Sequence, residues 1–191
     1  MNLLTKDDKQ DLINSSGQTA EPLVITFGCR LNTYESEVMR NHAKTQGLTD
    51  TIIVNTCAVT NEAERQARQA IRKAHRDHPD KRIIVTGCGA QLHPELYATL
   101  PGVTRVLGNQ EKMNLAHFSP TWDKGAILVQ DIMQVQETAT HLISGFENRV
   151  RAFIEIQNGC NHRCTFCIIP YGRGNSRSVP IGQIVEQVRH L

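Results

Sequence analysis

The sequence lacks an export leader: Met1 to Asp8 have neither the basic start nor the apolar run of a signal peptide. No hydrophobic stretch approaches the roughly 20 residues of a membrane-spanning helix. A strong charge of one sign is also missing. The net charge is +2 at pH 7, so composition alone does not announce a nucleic-acid binder. The histidines form no metal-ligand grouping, and His162 reads as structural. These absences leave a soluble cytoplasmic protein, unattached to membrane and monomeric, as the expectation. The chain's 191 residues give room for one or two domains, and 39% hydrophobic residues are enough for a core. Six cysteines without an export signal argue for reduced thiols and metal chemistry rather than disulfides.

Three of those cysteines form a CxxxCxxC run, Cys160, Cys164 and Cys167, behind an apolar segment. Thiolates at offsets of four and three in a tight loop can converge on one small object, and thiolates are the usual ligands of iron–sulfur clusters. A loop offering three ligands to a 4Fe–4S cluster leaves one iron open to a small chelating molecule. The same spacing could belong to a zinc site, or to a disulfide with a spare thiol. Zinc sites, however, commonly use two separated pairs, and no second pair follows. The loop resembles that of the radical S-adenosylmethionine enzymes, and Phe166 fits the aromatic position before their third cysteine. The resemblance implies that the open iron binds S-adenosylmethionine, whose reductive cleavage yields a 5′-deoxyadenosyl radical, with Phe166 near the adenine.

Along the chain, residues 1–20 are polar and read as a mobile extension. Leu23 to Phe27 is a short apolar strand ending at Gly28-Cys29. Asn32, with Glu35 three positions on, has the spacing of a capping box for the next helix, whose Val38, Met39 and Ala43 share a face before Gly47. Thr51 to Val54 is a second strand, ending at Asn55-Thr56-Cys57. A helix from Thr60 or Asn61 runs to His78, where Pro79 stops it; Ala63, Ala67, Ala70, Ile71 and Ala74 form its stripe. Arg82 to Val85 is a third strand, ending at Thr86-Gly87-Cys88. A short helix from Pro94 to Leu100 and a fourth strand, Val103 to Leu107, follow.

Alternation of helices with continuously apolar strands indicates a parallel sheet flanked by helices. Each of the first three strands ends in a cysteine, and ligands of such sheets lie beyond the strands' carboxyl ends. Cys29, Cys57 and Cys88 therefore fall at one sheet edge. Each alone could be a small core residue; together they suggest a second three-thiol cluster site.

Residues 109–149 look like a connector, with a helix start at Asn109 to Lys112 and an edge strand at Ala126 to Val129. Gly125 and the polar run from Gln134 to Thr140 mark a domain boundary. The expected division is an extension at 1–20, an N-terminal domain at 21–125, a linker at 126–145, and a second domain from 146. Arg151 to Ile156 is the strand feeding the cysteine loop, and Ile181, Ile184, Val185 and Val188 recur at helical spacing. Strand, loop and helix make the first unit of a βα barrel. A closed barrel takes roughly 200 residues or more, so the chain reads as part of a longer enzyme, without turnover on its own.

Gly28-Cys29-Arg30-Leu31-Asn32, Asn55 to Thr60, Thr86-Gly87-Cys88 and Cys160 to Arg173 together resemble the methylthiotransferases of the radical S-adenosylmethionine superfamily. The resemblance spans about residues 21–191. It implies a flavodoxin-like N-terminal domain in which Cys29, Cys57 and Cys88 hold an auxiliary 4Fe–4S cluster. Cys160, Cys164 and Cys167 would hold the radical-generating one. It further implies transfer of a methylthio group from the auxiliary site to a carbon opened by the radical, with tRNA as partner and flavodoxin or ferredoxin as reductant. The wording around Cys29, Cys57 and Ile169 to Ser178 is similar to the branch acting at C2 of N6-threonylcarbamoyladenosine beside the anticodon. The isopentenyladenosine branch and the branch acting on a ribosomal-protein aspartate are the alternatives. A two-cluster electron carrier and a zinc-stabilised binding module are the readings from other classes.

Other features carry less. Residues 61–82 are locally basic, which fits a solvated helix face as well as a tRNA-backbone contact. Arg173 and Arg177 are placed for substrate or cofactor, and Tyr171 for packing over the loop.

Overall fold

The computed structural model describes residues 21–121, 126–137, 143 and 151–191. The expected extension at 1–20, and part of the expected boundary around Gly125 and residues 138–140, lie outside the described residues.

Five parallel strands form one sheet: β1 (Leu23–Thr26), β2 (Thr51–Thr56), β3 (Arg82–Gly87), β4 (Val103–Leu107) and β5 (Ala126–Leu128). Helix α1 (Arg30–Thr45) joins β1 to β2, and α2 (Asn61–Asp77) joins β2 to β3. Helices α3 (Cys88–Leu92) and α4 (Pro94–Ala98) lead to β4. The central strands β2 and β3 are buried almost throughout, as continuous apolar runs require when both faces are covered.

The two faces have separate cores. On one, Ile52, Val54, Ile83 and Val85 meet Ile71 and Ala74 of α2 and Tyr97 of α4. On the other, Ile53, Ile84 and Leu107 meet Met39 and Ala43 of α1 together with Phe118. The α/β sheet with helices on both faces is as expected, and β5 is its edge. The strands lie in chain order, β1 to β5, without the reversal of the flavodoxin order 2-1-3-4-5. Each step across the sheet goes the same way, yet α1 and α2 cover opposite faces. Their crossovers therefore have opposite hands, and one departs from the right-handed rule.

Local signals explain most boundaries. Thr60 caps α2 by accepting from the Ala63 amide at 3.1 Å, and His78 ends the helix before Pro79. The capping box expected at Asn32 and Glu35 is absent. Helix α1 starts earlier, behind Cys29, with no side-chain cap, because Asn32 and Glu35 are engaged elsewhere. Cys88 also opens a helix of its own, which periodicity over five residues could not reveal.

Beyond the sheet, residues 151–156 form no strand. A barrel strand needs neighbours on both sides, and among the described residues of this part only Gln157–Asn158 (β6) pairs, antiparallel with Arg177–Ser178 (β7). Between them lie the cysteine loop and the short helix α5 (Ile169–Arg173). The last helix, α6 (Ile181–His190), has the expected period, but Ile181, Val185 and Val188 face outward. Its docking residue is polar: the buried Gln187 amide accepts from the Ile143 amide at 2.9 Å and donates to the Ile143 carbonyl at 2.8 Å. Ile143 and Phe153 pack in turn with Tyr34 and Val38 of α1 and with Met113.

Candidate metal centre

The three strand-end cysteines sit where the topology requires. Registers pair β1 with β2 and β2 with β3 directly, so Cys29, Cys57 and Cys88 follow neighbouring strand ends. Two of the turns need glycine. Gly28 has φ +105°, and a Cβ there would stand 2.8 Å from the Cys57 Cβ and 2.9 Å from its sulfur. Gly87 has φ +95° and ψ −172°, a region essentially restricted to glycine, and its Cβ would lie 2.2 Å from the Thr56 carbonyl oxygen. The Gly-Cys wording thus has a steric cause: backbone and neighbouring sulfur approach too closely for any side chain before the cysteine.

The thiols differ in exposure: Cys29 is exposed, Cys88 half-buried and Cys57 buried. Burial pushes the Cys57 thiol up, and the neighbouring Cys88 and Cys29 add to the rise, against the Val59 amide and the Arg173 charge. Among the described residues no three His, Cys, Asp or Glu side chains are grouped closely enough to hold a metal ion. The donor set nonetheless fits an iron–sulfur cluster: three thiols end adjacent strands, and N–H donors point at two of the sulfurs, Arg173 and Asn109 at Cys88 and the Val59 amide at Cys57.

Around these thiols, beside Arg173, lie four polar residues that local sequence rules did not single out for the site: Asn32, Glu35, Asn109 and Lys112. Asn32 donates to the carbonyls of Phe27 (2.7 Å) and Thr56 (3.1 Å), stitching the ends of β1 and β2, and its Oδ1 lies 3.7 Å from the Cys29 sulfur. Asn109 Nδ2 donates to the Gly172 carbonyl and lies 3.8 Å from the Cys88 sulfur. Glu35, fully buried on α1, accepts from Lys112 at 2.6 Å and from Arg173 through both oxygens. Lys112 also donates to Asn109 Oδ1 at 2.6 Å. Burial alone would raise the Glu35 carboxyl, but the charges of Arg173 and Lys112 outweigh it and hold the group below the usual carboxylate range. Only a buried cluster of opposite charges, invisible to local spacing, produces this.

The second cysteine set lies on the facing segment. Cys160 and Cys167 are half-buried and Cys164 is exposed. The Cys160 amide donates to the Gly174 carbonyl, the Cys167 amide to the Cys164 carbonyl, and Arg163 to the Cys160 carbonyl at 2.9 Å. Phe166 is 92% exposed, and Tyr171 is also exposed rather than packed over the loop. Helix α5 lies against α3: a Cβ on Gly172 would sit 3.3 Å from the Cys88 Cβ. Arg173 is buried against Glu35, not open to solvent. Arg177 donates to the Arg173 and Asn175 carbonyls. On α2 the basic residues pair locally, Arg65 with Glu62 at 2.7 Å and Arg68 with Glu64 at 3.6 Å, as on a solvated helix face.

Comparison with known proteins follows the same division. Residues 22–108 match the model of the uncharacterized protein family UPF0004, and residues 154–191 that of the radical SAM superfamily. The chain thus carries a match to UPF0004 followed by a match to the radical SAM superfamily. The chain is 58% identical over 168 residues to the threonylcarbamoyladenosine tRNA methylthiotransferase of Rickettsia prowazekii, covering 88% of this chain and 39% of the relative. The Bacillus subtilis enzyme of the same name is 34% identical, over 87% of this chain and 39% of the relative. The ribosomal protein uS12 methylthiotransferase of Sorangium cellulosum is also 34% identical, over 87% and 36%. The chain spans about two-fifths of the length of the curated relatives it matches.

Proposed function

We propose that this chain supplies the sulfur-donor site and the radical-generating loop of a tRNA methylthiotransferase acting at C2 of N6-threonylcarbamoyladenosine. The observation that carries the proposal is the docking of α5, the helix that follows the CxxxCxxC loop, on Cys88 of the strand-end set. Cys29, Cys57 and Cys88 would hold one 4Fe–4S cluster, and Cys160, Cys164 and Cys167 another. When bound, the clusters and S-adenosylmethionine supply radical chemistry, which an unactivated aromatic C–H bond needs because it offers no useful acid–base route.

The chain's own residues do the positioning. Asn32 fixes the relation of the Cys29 and Cys57 loops, Asn109 and Arg173 hold Cys88, and Arg163 braces the loop between Cys160 and Asn175. Phe166, exposed beside Cys167, is assigned to the adenine of S-adenosylmethionine. The division into an N-terminal unit at 21–125, a linker at 126–145 and a second unit from 146 belongs to this proposal, as do a cytoplasmic location, a monomeric state and a flavodoxin or ferredoxin reductant. For the substrate, relatives at 34% identity divide between tRNA and ribosomal-protein enzymes, so the 58% relative carries the choice of branch.

The test is anaerobic reconstitution with iron and sulfide of the intact chain and of a Cys29→Ala, Cys57→Ala, Cys88→Ala triple variant. About eight irons per chain falling to about four supports two clusters with the strand-end thiols holding one. About four irons in both proteins would reduce the strand-end cysteines to core packing.

A further inference from the structure

Arg173 joins the segment of the second cysteine set to a cysteine of the first. It ends α5, shortly after Cys167, yet its Nε–H donates to the Cys88 sulfur at 3.1 Å. Its remaining donors go to both oxygens of Glu35 and to Asn32 Oδ1. Through Asn32 the same guanidinium reaches the other two cysteines. Asn32 Oδ1 lies 3.7 Å from the Cys29 sulfur, and Asn32 Nδ2 holds the carbonyl of Thr56, the residue before Cys57.

The charges here do not cancel. Within the hydrogen-bonded group Glu35 brings one negative charge and Arg173 and Lys112 two positive ones, all three buried, while Glu155, in the cavity beside Arg173, has its carboxyl pushed up to about 7 by burial. A surplus buried cation is strongly disfavoured unless an anion lies in contact. The remaining atom in contact with the guanidinium is the Cys88 sulfur, and a metal-bound thiolate is such an anion.

We propose that Arg173 is a positioning residue that tunes the strand-end cluster, raising its reduction potential through the N–H···S bond to Cys88 and the surplus charge behind it. The inference rests on the iron–sulfur reading of these cysteines. Hydrogen bonds to cluster sulfurs, and nearby positive charge, favour the more negative reduced state. Because Arg173 rides on the CxxxCxxC segment, this tuning exists only while that segment is docked.

The experiment uses the chain carrying Cys160→Ala, Cys164→Ala and Cys167→Ala, so that only the strand-end site loads. Arg173→Lys keeps the charge and loses the guanidinium fork. A second variant, Glu35→Leu with Lys112→Met and Arg173→Met, removes the whole charged group, so no lone buried charge remains to prevent folding. Iron per chain and the midpoint potential by EPR-monitored titration are read for all three proteins. The expected result is parental iron content with a potential moved to more negative values in Arg173→Lys, and further in the apolar variant. Iron in all three at one common potential overturns the inference alone. No iron in the parent overturns the cluster reading and the inference with it.

Discussion

Glu35 and Arg173, 138 positions apart in sequence, close a two-point ion pair in which the side chains are 1% and 5% exposed. The pair joins α1 of the sheet unit to α5 of the cysteine-loop segment. It makes the carboxyl end of the sheet a shared structure rather than the property of either unit.

Removing one partner strands the others. Glu35→Ala leaves Arg173 and Lys112 buried without their anion and is expected to cost about 3–5 kcal/mol in urea unfolding. The carboxyl is held low in the folded state, so its contribution is present above the ordinary value of 4.5 and is lost as pH falls through the lowered one. Stability measured from pH 6 to pH 3 should fall less steeply in Glu35→Gln than in the parent. Identical acid slopes would count against this assignment.

Glu155 behaves oppositely. It faces a small cavity lined also by Asn109, Asn158, Arg173 and Arg177, with room for about one water, and its Oε1 has no hydrogen-bond partner among the described residues. Burial, reinforced by the Glu35 charge, pushes its carboxyl up to about 7. A raised value means the contribution is whole below 4.5 and is lost as pH rises through about 7. Glu155→Gln should therefore be the more stable protein at pH 8, by up to about 3 kcal/mol, and show little gain at pH 4.5. A gain of equal size at both pH values would refute the titration.

Gly87→Ala places a Cβ in a glycine-only backbone region, against the Thr56 carbonyl. The combined strain and crowding should cost about 2–5 kcal/mol, read as a lowered thermal midpoint. Gly47, also at positive φ but with no described residue within 4 Å of its Cβ, is the control: Gly47→Ala should cost no more than about 1–2 kcal/mol.

Gln187→Leu removes both hydrogen bonds to the buried backbone of Ile143. The two groups left unpaired should cost about 1–3 kcal/mol each, with faster amide exchange concentrated in α6. Unchanged exchange in α6 would mean that the helix is held by other contacts.

The strands and the cysteines at their ends were legible in the sequence because both follow from short-range pattern: apolar runs, Gly-Cys turns, and alanines at helical spacing on α2. What binds the ends together was not. Asn32 and Glu35 imitate a capping box, since the same three-residue offset serves a helix start and a buried face. Their partners lie at Thr56, Lys112 and Arg173, which no local rule connects. Arg151 to Ile156 has strand composition, but composition cannot say whether a neighbouring strand is present. The stripe of α6 gave the helix but carries no information on its docked side, where a glutamine with two backbone partners is buried while Ile181, Val185 and Val188 face out.

The chain-order arrangement of the strands bears on how the protein is made. Every sheet neighbour is also the next strand along the chain, so each pairing closes a short loop and needs nothing from downstream. Residues leave the ribosome at about 5–20 per second and units fold as they emerge. The turns carrying Cys29, Cys57 and Cys88 can be in position while the second cysteine set is still being synthesised. Arg173, made after all five strands, can then close over a sheet end that is already built.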